Sequence, residues 1–292
     1  MIEFKNPFKR KGNWYKGNLH LHTTNSDGTY TPEEICIVYK NEGYNFIAIT
    51  DHGRVTSVKK NFPSFLVIKG AELGKGDFHV VAVGLKKEFI VEKLSCQEII
   101  DEINRRKAYP IIAHPYWSGL TSSDLLKLKN YIGIEVYNNT CEKIKGKGYS
   151  SVHWDELLQK GKKILGFASD DTHHRPDKYR EDDALGSFIM VKATSLSERS
   201  ILNSIKNGYF YSSTGPIIEN IEISKNKIYI KTSPVKHIDF ISYAGKGSRF
   251  SGKRKLLREI EYKIKGDEEY IRIEITDKSG KKAWTNPVYK TC

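Results

Sequence analysis

Between residues 18 and 210 the sequence switches repeatedly between two hydrophobic periods, and this alternation limits the fold more than any other feature of the chain. GNLHLH, NFIAIT, FLVIKGAEL, FHVVAVGL, YPIIAH, IGIEVYN, ILGFAS and GSFIMV are short, β-branched or aromatic runs with the character of buried strands. Amphipathic segments with helix punctuation stand between many of them. In TPEEICIVYKNEG, Thr31 is placed to cap a helix, Pro32 occupies its first position, Glu34 its third, and Gly43 closes it. Ser95 caps CQEIIDEINRRKA in the same way, SSDLLKLK predicts a serine-capped helix, and WDELLQKG and LSERSILNSIKNG continue the pattern. Strands alternating with helices imply an α/β fold with a mostly parallel sheet, open or closed into a barrel.

From about Thr214 the pattern changes. IEISKNKIYIKTS, HIDFISYAG, REIEYKIKG and YIRIEITD alternate apolar and polar residues at period two, with turn residues and no helical segment between them. They predict a small antiparallel, sandwich-like β domain, joined at STGP around Pro216. The chain thus divides into an N-terminal extension (1–13), an α/β unit (14–215) and a β domain (216–292). NNTCEKIKGKGYSS, residues 138–151, reads as the longest polar, glycine-bearing connection of the α/β unit and as a candidate lid.

Seven of the nine histidines, His20, His22, His52, His79, His114, His173 and His174, carry the chemistry. His20 and His22 lie two apart on a strand, so their side chains leave the same face and can share an ion, and Asp27 follows in the loop beyond. His52 follows NFIAIT, Glu72 ends LVIKGAE, His79 begins the next strand, His114 ends YPIIAH, and Asp171 and His173 follow ILGFAS. Nearly all of these residues stand at or just past the C-terminal end of a strand, the face on which parallel α/β folds build ligand sites. Structural histidines have no reason to be distributed in this way.

The set exceeds what one tetrahedral ion needs, which implies two or three divalent ions. Imidazole with carboxylate and no thiolate suits Mn, Zn or Fe better than Mg or Ca. Glu72 is placed to bridge neighbouring ions, and water held between them would lose its proton near neutral pH, giving a hydroxide nucleophile without a serine or cysteine. Glu72, Asp171 and His173 are the expected catalytic centre.

Competing chemistries lack their residues. No GxSxG or HExxH motif is present, and GAELGKGD has the wrong glycine spacing for a phosphate loop, with Gly76 where a hydroxyl residue is needed. Cys36, Cys96, Cys141 and Cys292 form no CxxC pair and read as reduced thiols. No apolar run is long enough to span a bilayer or form a signal-peptide core, so the expectation is a soluble, cytoplasmic protein. The net charge of +13 invites a nucleic-acid reading. Much of the lysine, however, is interspersed with glutamate, as on an ordinary solvated face. A small anionic, phosphorylated substrate is expected, with a nucleotide or short oligonucleotide among the candidates, and stable nucleic-acid binding is not.

HLHTTNSDG, ITDHG, GAE, IAHP and SDDTH resemble, in order, the signature segments of the PHP superfamily of metal-dependent hydrolases, named for polymerase and histidinol phosphatase. The resemblance covers roughly residues 14–215. It implies a distorted (β/α)7 barrel with two or three ions at the strand C-termini. YKGNLHLHTTNSDG with YKNEGYNFIAITDH, and NGYFYSSTGP with AWTNP, resemble the carbaryl-hydrolase-like branch, in which a small β domain follows the barrel. Carried over position by position, the resemblance implies a first ion on His20, His22, Glu72 and Asp171, a second on Glu72, His79 and His114, and a third on Asp27, His52 and His173.

The expected activity is phosphate mono- or diester hydrolysis through a metal-bridged hydroxide. The alternatives are carbamate, ester or amide hydrolysis at the same metals, or a module that binds nucleic acid or a partner. His174 and Arg175, just past the last motif, and Glu135 and Asn138, at the end of IGIEVYN, are the candidate substrate contacts.

Overall fold

The computed structural model describes residues 2–176, 182–224 and 226–290. The α/β part runs β1 (Ile2–Glu3), β2 (Asn13–Asn18), α1 (Pro32–Asn41), β3 (Phe46–Ile49), β4 (Leu66–Lys75), β5 (Phe78–Val83), α2 (Cys96–Arg105), β6 (Tyr109–Ile112), α3 (Ser122–Lys127), β7 (Gly133–Asn138), α4 (Asn139–Lys145), α5 (Ser151–Gln159), β8 (Leu165–Ser169), β9 (Phe188–Ala193), α6 (Glu198–Lys206) and β10 (Phe210–Ser213). Thr31 and Ser95 form reciprocal capping boxes with Glu34 and Glu98, satisfying main-chain donors at the starts of α1 and α2. The α3 cap is Thr121, one residue before the expected serine, paired with Asp124.

Strands β2 to β8 lie side by side in chain order. The pairs β2–β3, β3–β4, β6–β7 and β7–β8 are parallel, whereas β4–β5 and β5–β6 are antiparallel. Beyond the strand ends the arc returns on itself. Leu21 bridges Thr172 in parallel, with Asp171 N donating to His20 O at 2.9 Å and His22 N to Thr172 O at 3.0 Å.

The structure is a mixed α/β fold in which a helix does not follow every strand. No helix separates β4 from β5, because Gly76 at φ +61° and Asp77 turn the chain directly into a hairpin that carries Glu72 on one strand and His79 on the other. β4 also runs three residues past Glu72, to Lys75, where the sequence pattern suggested an end.

Alternate residues face opposite sides of the arc, as period two requires. Phe46, Ala48, Val81, Val83, Ile111 and Phe167 pack with Ile201 and Ile205 of α6. On the other side Ile112 and Ile134 pack with Ile99 and Ile103 of α2 and Trp154 of α5, while Ile47 and Ile49 meet Ile35 and Tyr39 of α1.

The last third of the chain forms β11 (Ile218–Ile223), β12 (Lys227–Val235), β13 (His237–Ile241), β14 (Gly247–Ser251), β15 (Leu257–Lys263), β16 (Tyr270–Thr276), β17 (Lys282–Thr285) and β18 (Val288–Lys290). All their pairings are antiparallel, as period two predicts. β11, β12 and β15 make a separate three-stranded sheet, whereas β17 pairs with β10 and carries the large sheet onward through β16.

Three side chains fasten this region to the α/β part. Trp284 is buried in the same core cluster as Trp154. Asn286 accepts from Gly166 N at 3.1 Å and donates to Phe210 O at 3.1 Å. The buried Arg272 donates to both carboxylate oxygens of Asp155 on α5, at 2.7 and 2.6 Å, and to Glu274 at 3.1 Å.

Cys36, Cys96 and Cys141 are free thiols, and Cys292 lies outside the described residues. Among the described residues no helix is long and apolar enough to cross a membrane.

Candidate metal centre

The strand ends deliver the expected donors to one place. His20 and His22 lie just past β2, where the Leu21 bridge keeps the chain extended, so both rings leave the same face and their Nε2 atoms come within 3.1 Å. Three groups form, each able to offer one atom per residue around a common point: His20, His22, Glu72 and Asp171; Glu72, His79 and His114; and His22, Asp27, His52 and His173. All nine expected metal-site residues are therefore gathered, with His22 and Glu72 each shared between two groups.

Glu72 stands at the junction. Its Oε1 faces His79 Nδ1 at 3.0 Å and His114 Nε2 at 3.1 Å, while its Oε2 faces His20 Nε2 and His22 Nε2 at 3.3 Å and His52 Nδ1 at 3.0 Å. Asp171 Oδ1 lies 3.1 Å from Nε2 of both His20 and His22. Asp27 Oδ2 lies 3.5 Å from Nε2 of both His52 and His173 at the exposed rim.

Local backbone sets these directions. Asp171 and His114 both have positive φ, +56° and +26°, a conformation unfavourable for residues with a Cβ and frequent where geometry serves a site. In the dipeptide Asp170-Asp171 the two side chains diverge. Asp170 accepts from Tyr39 Oη at 2.6 Å and Ser187 N at 2.6 Å, and burial pushes its carboxyl up to about 7. Asp171 turns to the histidines. The loop bearing Asp27 closes tightly at Gly28, where a Cβ would sit 2.5 Å from the carbonyl carbon of His22.

The electrostatics are those of anions awaiting cations. Burial alone would lower His20, yet the charges of Asp171, Glu135 and Glu72 hold it well above its ordinary value. Burial would raise Glu72, but the His20 charge and hydrogen bonding from His114 hold it well below the carboxylate range. His173 is pushed up to about 9 by Asp171 and Asp27 against the effect of burial.

Two buried carboxylate oxygens, Glu72 Oε2 and Asp171 Oδ1, accept no hydrogen bond, a costly state for an anion unless a cation completes it. Nitrogen donors about 3 Å apart also suit an ion with bonds of about 2.1 Å. The residues present therefore fit a cluster of divalent ions. Cys141, beside them, joins none of the three donor groups, and burial pushes its thiol far up.

The four candidate substrate contacts separate. Glu135 and Asn138 are buried behind the donors. Glu135 Oε1 accepts from His20 Nδ1 at 2.7 Å and from Ser169 Oγ, and its Oε2 accepts from His114 N at 2.9 Å and Asn138 Nδ2 at 2.8 Å. Asn138 Nδ2 also reaches Asp171 Oδ2 at 3.1 Å. Arg175 is turned outward, ion-paired with Glu34 and lying over the Tyr30 ring at 4.4 Å. Of the four, only His174 lines the pocket over the centre.

That pocket, of about 260 Å³, is also lined by Trp117, Thr140, Cys141, Ile144 and Lys145, of which only Trp117 lies outside the segment 138–151. The segment expected as a lid is the helix α4, capped by Asn138 at its start and by Gly146 in the left-handed conformation at its end. Two further carboxylates hold the loops in position. Asp51 accepts from Thr23 N at 2.6 Å and Ser26 Oγ at 2.8 Å, and Asp183 accepts from the main-chain N–H groups of His173 and His174 at 3.0 Å. Asp51, adjacent to His52 in ITDHG, was the one detectable signal among these.

A model of the PHP domain family matches residues 18–185. The DNA polymerase/3'-5' exonuclease PolX of Bacillus subtilis is 29% identical over 77 residues, which cover 20% of this chain and 14% of that protein. An uncharacterised protein of Methanocaldococcus jannaschii is 29% identical over 118 residues, 35% of this chain and 68% of that one. Among solved structures, a two-domain protein of Bacteroides vulgatus, described as containing a predicted PHP-like metal-dependent phosphoesterase, matches with a TM-score of 0.52 and 16% identity. The match covers 94% of this chain and 95% of that one, a likeness of fold over both parts of the chain.

Proposed function

We propose, because the chain belongs to the PHP domain family, that it is a metal-dependent phosphoesterase hydrolysing a phosphate mono- or diester where its histidines converge. The observation that carries this reading is the buried carboxylate of Glu72, whose two oxygens face separate sets of imidazoles while Oε2 accepts no hydrogen bond. His20, His22, Glu72 and Asp171 would hold one ion, Glu72, His79 and His114 a second, and Asp27, His52 and His173 a third, with Mn, Zn or Fe suited to the donors. Bound there, such ions supply Lewis acidity toward a phosphoryl oxygen and acidify water.

The chain's own residues aim and insulate the donors. His20 donates from Nδ1 to Glu135, which leaves its Nε2 lone pair directed into the cluster. His114 is oriented in the same sense by Nδ1 against Ser118 Oγ at 3.0 Å, and His173 by Nδ1 donating to Asp171 O at 2.6 Å. Lys145 and His174 at the pocket wall favour an anionic substrate.

The test uses the full chain loaded with Mn, Zn or Fe, a panel of phosphate mono- and diesters, and aryl carbamates as the competing chemistry. Phosphate release is expected from the wild type. Glu72→Gln is expected to lower it by roughly a thousandfold or more, with bound metal lost and the circular dichroism spectrum kept. A loaded wild type that releases no phosphate while cleaving the carbamates would overturn the assignment.

A further inference from the structure

The pocket over the metal centre has walls of two different characters. One part of the lining is the ionisable donors, and another is Trp117, Cys141 and Ile144, with Lys145 at the end of α4. Trp117 and Ile144 are 40% and 48% exposed, two of eight large hydrophobic side chains left exposed among the described residues, and both stand at this pocket. An exposed apolar pair at the mouth of a cleft marks a binding surface rather than an incidental one.

The indole is held in place rather than free. Its ring lies edge-on to His114 with centroids 4.9 Å apart and 6.2 Å from His79, so its position is referred to two of the donors themselves. The neighbouring polar group offers little to a hydroxylated ligand, since Thr140 Oγ1 already donates to Asp171 O at 2.7 Å. Lys145 makes no ion pair or hydrogen bond with any described residue, which leaves its charge available to a ligand. A space of about 260 Å³ admits one ring with a phosphoryl group, below the range of about 300–1,000 Å³ that larger ligands occupy.

We infer that this pocket selects phosphate esters whose leaving group is a planar apolar ring, with Trp117 and Ile144 holding the ring and Lys145 steadying the anionic oxygens. The inference rests on the phosphoesterase reading above and adds the substrate class to it. Trp117, Ile144 and Lys145 are then the specificity-determining residues of a site whose remaining walls serve the metal ions. Stacking plus apolar burial of one ring against an indole and an isoleucine corresponds to roughly a tenfold gain in affinity.

Phenylphosphonate and methylphosphonate separate binding from leaving-group reactivity, because neither is hydrolysed. Their dissociation constants are to be measured by calorimetry on the metal-loaded full chain. Wild type is expected to bind the phenyl compound roughly tenfold more tightly. Trp117→Ala and, independently, Ile144→Asn should bring that ratio toward one. Lys145→Gln should weaken both ligands by a similar factor and leave the ratio in place. Binding of both phosphonates with no phenyl preference, or a preference that survives both apolar substitutions, overturns this inference and leaves the phosphoesterase reading standing. If neither phosphonate binds, the phosphoesterase reading fails and takes this inference with it.

Discussion

Replacing Glu135 by Gln tests how far the metal centre depends on a residue that touches no ligand-accessible space. Each of the four hydrogen-bond partners of Glu135 is a donor: His20 Nδ1 and Ser169 Oγ to one oxygen, His114 N and Asn138 Nδ2 to the other. A carboxylate satisfies all four. An amide has a single acceptor oxygen, so in either orientation its NH2 group is turned toward two donors and two bonds are lost. Hydrogen bonds to a buried charge contribute about 1.5–3 kcal/mol each. Taking the lower figure for a site that relaxes gives a loss of about 3 kcal/mol, or roughly a hundredfold in metal affinity, the upper end of what outer partners of metal ligands command. The assay is a metal titration of the chelator-stripped protein by calorimetry, with urea unfolding as a check on the fold. Affinity within threefold of wild type, in a variant shown to be folded, would refute the claim that Glu135 aims His20 and holds the His114 main chain.

Further outcomes concern pH, packing and backbone. His173 holds its proton up to about pH 9 when no metal is bound, and an incoming cation must displace it. Apparent metal affinity should therefore rise with pH through this range, with proton release detectable by calorimetry in buffers of different ionisation enthalpy. Arg272→Ala removes the cation of the part-buried Asp155 and, among the described residues, leaves Glu274 paired only with Lys282, so a loss of about 3 kcal/mol, the lower end for a broken buried pair, is expected in urea melts. Gly28→Ala places a methyl group 2.5 Å from the His22 carbonyl carbon and should displace Asp27. At least about 2 kcal/mol of stability is expected to be lost, and metal content by elemental analysis should fall by the ion nearest the rim.

Much of this was legible locally. Caps and hydrophobic periods located α1, α2 and most strands, and the positions of the histidines relative to strand ends foretold the cluster, because parallel strands bring those ends to one rim. The misreadings have physical causes. Residues 138–151 lack a strong apolar stripe, so the capping pair Asn138 and Gly146 went unread and α4 passed for a loop. Glu135 and Asn138 were expected to contact substrate and instead bond His20 and Asp171, because whether they face a ligand or a histidine depends on which side of the strand the cluster occupies. Pairing of β17 with β10 leaves no mark on either segment, because its partners are far apart in sequence.

That last pairing bears on the order in which a nascent chain can assemble. Gly166, on the strand that leads into the Asp170-Asp171 pair, has its main-chain N–H satisfied by the Asn286 side chain, 120 positions later. While the ribosome is still producing the intervening residues, this strand has no partner for that group. The rim is therefore expected to set late in synthesis, and ions captured earlier would meet only some of their eventual donors.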